Sequence, residues 1–158
     1  MRWIFLGLWV LGCLGIGFLG GRWTGPEIRG WYRTITKPSF NPPNWVFAPV
    51  WTTLYILMGI AAWLVTECPA SLPRSIGLSF FFLQLALNLA WSWIFFRQHA
   101  IGPAALEVAI LWCGIGATTL LFIRVSVDAA WLMAPYWAWV TFASVLNVTI
   151  WRLNPNAG

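Results

Sequence analysis

An all-α membrane protein, a single domain over residues 1–158 built as a bundle of five transmembrane helices, is the fold class the sequence predicts. Three observations carry it. The chain is 60% hydrophobic and only 8% charged, against about 25% charged residues in a soluble domain, so lipid must be its solvent. Five stretches are long and apolar enough to cross a bilayer, which takes about 20 residues. Backbone groups inside hydrocarbon must pair within their own segment, which makes each stretch a helix.

The first helix covers about 3–21. Arg2 precedes it as in a signal peptide, but the apolar run is long and no Ala-x-Ala-like cleavage site follows, so it is expected to remain as helix one. Its Gly17-x-x-x-Gly21 pair either admits a close neighbour or is simply tolerated. A loop over 22–45 follows, too long for an ordinary connector. Pro38, Pro42 and Pro43 stiffen it, and Trp31, Tyr32, Phe40 and Trp45 can pack on the bundle end, so it reads as a structured lid.

Helix two, about 46–66, aligns Trp51, Tyr55 and Met58–Gly59 on one face. Helix three, about 75–96, places Gln84 and Asn88 one turn apart, with Trp91, Ser92 and Phe95 continuing that face. Amides within a membrane need a reason, and two stand open together: bonding between helices and contact with a ligand. Helix four, about 102–123, carries the one intramembrane acid, Glu107. A snorkelling or hydrogen-bonded carboxylate near the interface is expected there, since a proton relay would need several such groups. Helix five, about 129–151, aligns Pro135, Trp139, Ala143 and Asn147. Short connections after helices two, three and four predict that consecutive helices pack antiparallel.

Trp3, Trp23, Trp131 and Trp151 suit interfacial anchoring, whereas Trp51 and Trp139 lie deeper, where an indole N–H wants a partner. Ala143, a turn beyond Trp139, leaves room beside that ring. Together the inner faces describe an aromatic pocket with a few amides, suited to a flat hydrophobic ligand.

Several functions are excluded. The nine basic residues form no stripe for nucleic acid. His99 is the only histidine, Cys13, Cys68 and Cys113 lack motif spacing, and no carboxylates cluster, so no metal site is expected. Nothing resembles a nucleophile–base pair or a phosphate loop. Six basic residues (Arg22, Arg29, Arg33, Lys37, Arg97, Arg152) share one side and three (Arg2, Arg74, Arg124) the other. That bias predicts a cytoplasmic lid and C-terminus, in a bacterial inner membrane. Ala86-x-x-x-Ala90 predicts a homodimer through helix three.

The ordered set Trp31-Tyr32, Lys37-Pro38, Asn41-Pro42-Pro43-x-Trp45, Trp51-Thr52-x-Leu54-Tyr55, Gln84-Leu85-x-x-Asn88-x-x-Trp91-Ser92, Phe95-Phe96, Pro135-Tyr136-x-x-Trp139, Ala143 and Leu146-Asn147 resembles the tryptophan-rich sensory protein, or translocator protein, family. The resemblance covers nearly the whole chain. It implies a five-helix bundle, often dimeric, that binds porphyrins such as protoporphyrin IX or heme, and in some members sterols or isoquinoline and benzodiazepine ligands. No cofactor is required beyond that ligand. By resemblance the ligand contacts are Tyr32, Pro42, Trp51, Asn88, Trp139 and Ala143; the inner faces add Tyr55, Gln84 and Asn147. If the family's light-dependent porphyrin degradation occurs here, Trp51 and Trp139 carry it by resemblance. The stretch Leu146–Arg152 lacks the tyrosine of the animal cholesterol pattern, which weakens a sterol role. A porphyrin-binding sensor or regulator of tetrapyrrole metabolism is the leading expectation. A light-dependent degrading enzyme and a transporter of porphyrins or lipids are the alternatives. Arg33 and Lys37 are the candidate partners for porphyrin carboxylates.

Overall fold

The computed structural model describes residues 2–155. The end of the chain, whose side of the membrane the basic residues predict, lies outside them. Helix α1 spans Arg2–Arg29, a 3-10 turn spans Trp31–Arg33, α2 spans Asn44–Glu67 and α3 spans Leu72–Ser92. A π-helical turn, Trp93–Arg97, extends α3; α4 spans Ile101–Ile123 and α5 spans Val127–Leu153. All five helices are long and apolar enough to cross a membrane, and the described residues contain no strand.

Caps set several boundaries. Ser71 accepts from Arg74 N–H at 3.3 Å and starts α3, with Pro73 in its first turn. Ser126 accepts from Ala129 N–H at 3.3 Å and starts α5, with Asp128 in its first turn. Pro43, extended at φ −56° and ψ 141°, precedes α2. The largest difference from the sequence expectation is at the end of α1. The helix continues to Arg29 through Pro26, so the lid begins at Gly30 rather than at residue 22. The polar stretch after Gly21 leaves the apolar pattern but not the helix, because the last turn closes by Gly30 N–H donating to Pro26 C=O at 3.0 Å.

The helices form a ring in the order α1, α2, α5, α4, α3, with α3 returning to α1. The short α2–α3 connection predicted direct packing of those two helices. Instead they touch chiefly across the bundle centre, through Tyr55–Asn88 and Met58–Gln84, because α1 occupies the place between them. Glycine is the physical reason. A Cβ on Gly59 would sit 2.6 Å from the Val10 Cα, and one on Gly17 would sit 2.5 Å from the Tyr55 ring, so α1 and α2 meet almost backbone to backbone. A Cβ on Gly20 would lie 3.3 Å from Ser92 Oγ, which draws α1 against α3 as well. Gly21 meets nothing within 4 Å, so only half of the glycine pair serves helix contact.

The π turn, closed by Gln98 N–H donating to Trp93 C=O at 3.0 Å, has its own effect. The widened turn lets the successive residues Phe95 and Phe96 both face inward, at 2% and 6% exposure. Outward faces are apolar, as lipid contact requires; Trp3, Leu11, Phe18, Leu106 and Trp131 are all exposed. Ala86 is exposed and Ala90 half-buried, both on α3. Cys13, Cys68 and Cys113 are unbridged.

The Gly59 contact yields a stability prediction. Gly59→Ala forces α1 away from α2, because the obstacle is backbone, and should cost about 1–3 kcal/mol. Gly12→Ala, where nothing lies within 4 Å, should be neutral or slightly stabilising. Thermal unfolding of both variants in one detergent checks this; equal melting temperatures would refute it.

Candidate functional site

A cavity of about 420 Å³ lies under the lid, walled by α1, α2, α3 and α5. Its size falls in the ordinary range for small-molecule sites, roughly 300–1,000 Å³. Gly21, Ala48 and Thr52 line it and are also exposed on the outer surface, so it opens sideways between α1 and α2.

Its floor is a chain of side-chain amides. Tyr55 O–H donates to Asn88 Oδ1 at 2.6 Å, and Asn88 Nδ2 donates to the Tyr136 hydroxyl at 3.0 Å. One amide of α3 therefore holds α2 and α5. A turn nearer the lid, Trp91 Nε1 donates to Asn147 Oδ1 at 3.0 Å, and Asn147 Nδ2 donates to Ile101 C=O at 3.0 Å. This second relay joins α3, α5 and the start of α4. Asn88 and Asn147 thus tie helices together, as expected of an intramembrane amide, and both also line the cavity.

Aromatic rings form the walls. Trp51 lies 5.7 Å from Tyr55 and 6.2 Å from Tyr136 between ring centroids. Trp139 lies 6.2 Å from Phe47 and 5.5 Å from Phe142. Trp51 and Trp139 line the cavity, and their indole N–H groups make no hydrogen bond among the described residues.

The lid is held at both ends. Tyr32 is buried against Phe95 and Phe96, and its hydroxyl donates to Asn41 Oδ1 at 2.7 Å. Burial pushes its phenol pKa up to about 12. Thr36 N–H donates to Asn154 Oδ1 at 2.9 Å, and Asn154 Nδ2 donates back to Thr36 C=O at 2.8 Å and to Ile150 C=O at 2.7 Å. Lys37 Nζ donates to the carbonyls of Tyr32 and Ile35 at 2.7 and 2.8 Å and sits 5.0 Å from the centre of the Tyr32 ring. Desolvation there lowers the Lys37 pKa.

Of the residues predicted from sequence, Tyr32, Trp51, Tyr55, Asn88, Trp139, Ala143 and Asn147 line the cavity. Pro42 and Gln84 do not. Pro42 shapes the lid, its carbonyl accepting from Asn41 Nδ2 at 3.1 Å. Gln84 lies a turn deeper, fully buried, with Nε2 3.9 Å from Met58 Sδ and its Cβ beside Gly114 of α4. Neither Arg33 nor Lys37 reaches the cavity, and no arginine or lysine lines it. Arg33 is exposed and Lys37 is engaged with lid carbonyls.

Glu107 also departs from expectation. It neither snorkels nor finds a hydrogen bond; it is buried, and both carboxylate oxygens lack a partner among the described residues. Its position in α4 shares the inward face with Ala104, Val108 and Leu111, so helical phase carries it into the bundle. Sequence reasoning missed the wall made by α1, where Gly17, Gly20, Gly21, Thr24 and Gly25 line the cavity. The signal was present: small residues recur every three or four positions along the end of that helix.

Comparison with known proteins agrees over the whole bundle. The model of the TspO/MBR family matches residues 9–152. The chain is 42% identical over 150 residues to the tryptophan-rich protein TspO of Chlorobaculum tepidum, covering 90% of this chain and 91% of that protein. It is 39% identical over 146 residues to the translocator protein of Homo sapiens, covering 91% and 84%. It is 41% identical over 126 residues to protein CrtK of Rhodobacter capsulatus, covering 79% of each.

The shared amide at the cavity floor predicts coupling. Asn88→Ala leaves two buried tyrosine hydroxyls unpaired and should cost about 1–3 kcal/mol of stability. Adding Tyr55→Phe to that variant removes one orphaned hydroxyl, so the double variant should lose less than the sum of the singles. Thermal unfolding of the three variants gives the coupling energy; strict additivity would contradict a shared amide.

Proposed function

The chain belongs to the TspO/MBR family, and we propose that it binds a porphyrin in the cavity beneath the lid and serves as a membrane sensor or regulator of tetrapyrrole metabolism. The observation that carries this reading is the cavity itself: about 420 Å³, lined by Trp51 and Trp139, with no cationic side chain. Such a lining favours a flat, apolar ring system over a compact charged metabolite. The two indole N–H groups suit ring or carbonyl acceptors. The porphyrin carboxylates then remain at the open side of the cavity, toward the basic end of the bundle that carries Arg22, Arg29 and Arg33.

Light-dependent loss of the bound porphyrin is the second reading. The closeness of Trp51 to Tyr55 and Tyr136 favours it, because neighbouring oxidisable rings can pass an electron hole from one to the next.

Titration of the purified protein with protoporphyrin IX, followed by tryptophan quenching in the dark and under illumination, tests both. Ala143→Leu fills space beside Trp139 and should weaken binding by about 1–3 kcal/mol, or roughly 5- to 150-fold in affinity. Trp51→Phe and Trp139→Phe keep an apolar ring; they should retain most binding and slow any photobleaching. Parent-like affinity in Ala143→Leu, with normal photobleaching in both tryptophan variants, would remove the porphyrin from this cavity.

For orientation we place the lid on the cytoplasmic side of a bacterial inner membrane. The six basic residues of the larger group lie on lid-side segments, and Asn154 beside Thr36 brings the end of α5 to the same side. With Cys13, Cys68 and Cys113 replaced by serine, Arg33→Cys should resist an impermeant thiol reagent in intact cells and react after lysis. Equal labelling in both would invert the topology.

A further inference from the structure

At the rim of the cavity, three separate segments meet at one imidazole. His99 lies between the π turn and α4. Its Nε2 is 3.0 Å from Glu27 Oε2, on the last turns of α1. Its ring stacks on the indole of Trp31, at 4.2 Å between centroids and 17° between planes. Trp31 opens the 3-10 turn of the lid and packs edge-on against Phe95 at 5.7 Å. Each segment also contributes to the cavity wall: Ile28 beside Glu27, Tyr32 beside Trp31, and Phe95 and Phe96 before His99.

The backbone is shaped to present this ring. His99 has φ 56°, the one positive φ of a non-glycine residue among the described residues. Few non-glycine residues adopt that conformation, and histidine, with asparagine and aspartate, is among those that do so most readily. Neighbouring backbone bonds fix it: Ala100 N–H donates to Ile94 C=O at 3.1 Å, and Ile101 N–H donates to His99 C=O at 3.1 Å.

We propose that Glu27, His99 and Trp31 form a proton-operated latch that holds the lid over the cavity. Histidine is the side chain that ordinarily changes charge in the neutral pH range. When the imidazole is protonated, its contact with Glu27 is a charge-assisted hydrogen bond, and its stack on Trp31 gains cation–π attraction. When it is neutral, both contacts weaken. The latch is tighter with the proton on the imidazole and looser without it, and the change falls where histidine ordinarily gains or loses charge.

The charged groups around it preserve this sign. Glu27 is the carboxylate that faces the imidazole from α1. Arg29 of α1, Arg33 of the lid and Arg97 of the π turn are exposed, and Lys37 of the lid is held by the Tyr32 and Ile35 carbonyls. No cation comes between His99 and Glu27.

The effect on the lid stands on this geometry alone; the effect on ligand release rests on the porphyrin reading above. Amide hydrogen exchange of the ligand-free protein at pH 6 and pH 8, corrected for intrinsic exchange chemistry, tests the first. Protection of residues 31–36 should be several-fold greater at pH 6. Glu27→Gln keeps a hydrogen-bond acceptor without charge and should shrink the pH dependence to what the Trp31 stack supplies; His99→Asn keeps a residue at ease in the left-handed backbone without a titrating ring and should abolish it. A parent lid with pH-independent protection, a Glu27→Gln lid with the full parent dependence, or a His99→Asn lid that retains the dependence would overturn the latch. Release of protoporphyrin IX from the parent should likewise be several-fold slower at pH 6. A pH-dependent lid without pH-dependent release would sustain the latch and count against the cavity as the porphyrin site.

Discussion

The geometry of the cavity depends on one hydrogen-bonded amide. Asn88 of α3 accepts from Tyr55 of α2 and donates to Tyr136 of α5, and all three side chains are buried. Lipid supplies no hydrophobic force between helices, so polar contacts and close packing must hold them together. The Asn88 node fixes how far apart α2 and α5 stand, and hence the spacing of Trp51 and Trp139. The Trp91–Asn147–Ile101 relay repeats the device a turn nearer the lid. The empty space between the helices persists because its polar supports are tied to one another rather than left to close on it.

Glycine does the complementary work. Gly59 and Gly17 let α1 lie hard against α2 in one half of the bundle, while Gly21, further along the same helix, meets nothing. A single stretch of small residues thus serves two ends, tight contact and open wall. A larger side chain at Gly17 would part the helices; one at Gly21 would instead narrow the side opening of the cavity.

Much of this was legible in the sequence. The five spans follow from hydropathy alone, since backbone pairing in lipid leaves no other structure open to a single apolar segment. Asn88, Asn147, Trp51, Trp139 and Ala143 could be placed on inner faces because helical phase is reliable over two or three turns. Phase could not rank depth, so Gln84 shared a face with Asn88 yet lies below the cavity against Met58 and Gly114. Pro42 was named by resemblance and not by helical phase, and here it shapes the lid instead of the cavity wall. The end of α1 was hidden because its sequence turns polar before its helix stops, and a hydropathy boundary was mistaken for a structural one. The α1 wall was overlooked for a related reason: glycine has no side chain to mark a site, and its contribution is the volume it leaves. Glu107 was misplaced by a rule for isolated helices, where a long acid can reach water; in a bundle the neighbouring helices block that path.

The clamp between Thr36 and Asn154 joins positions 118 residues apart. A chain is synthesised from its N-terminus, so the lid exists long before its anchor does. Until α5 has been inserted, the segment from Gly30 to Pro43 has nothing to hold it at Thr36, and α5 itself, which supplies Trp139, Ala143 and Asn147, is still missing. The cavity and its lid are therefore completed only once α5 is in place. Loss of even the final helical turn, with four spans and most of the fifth intact, would leave a protein that enters the membrane normally and closes poorly.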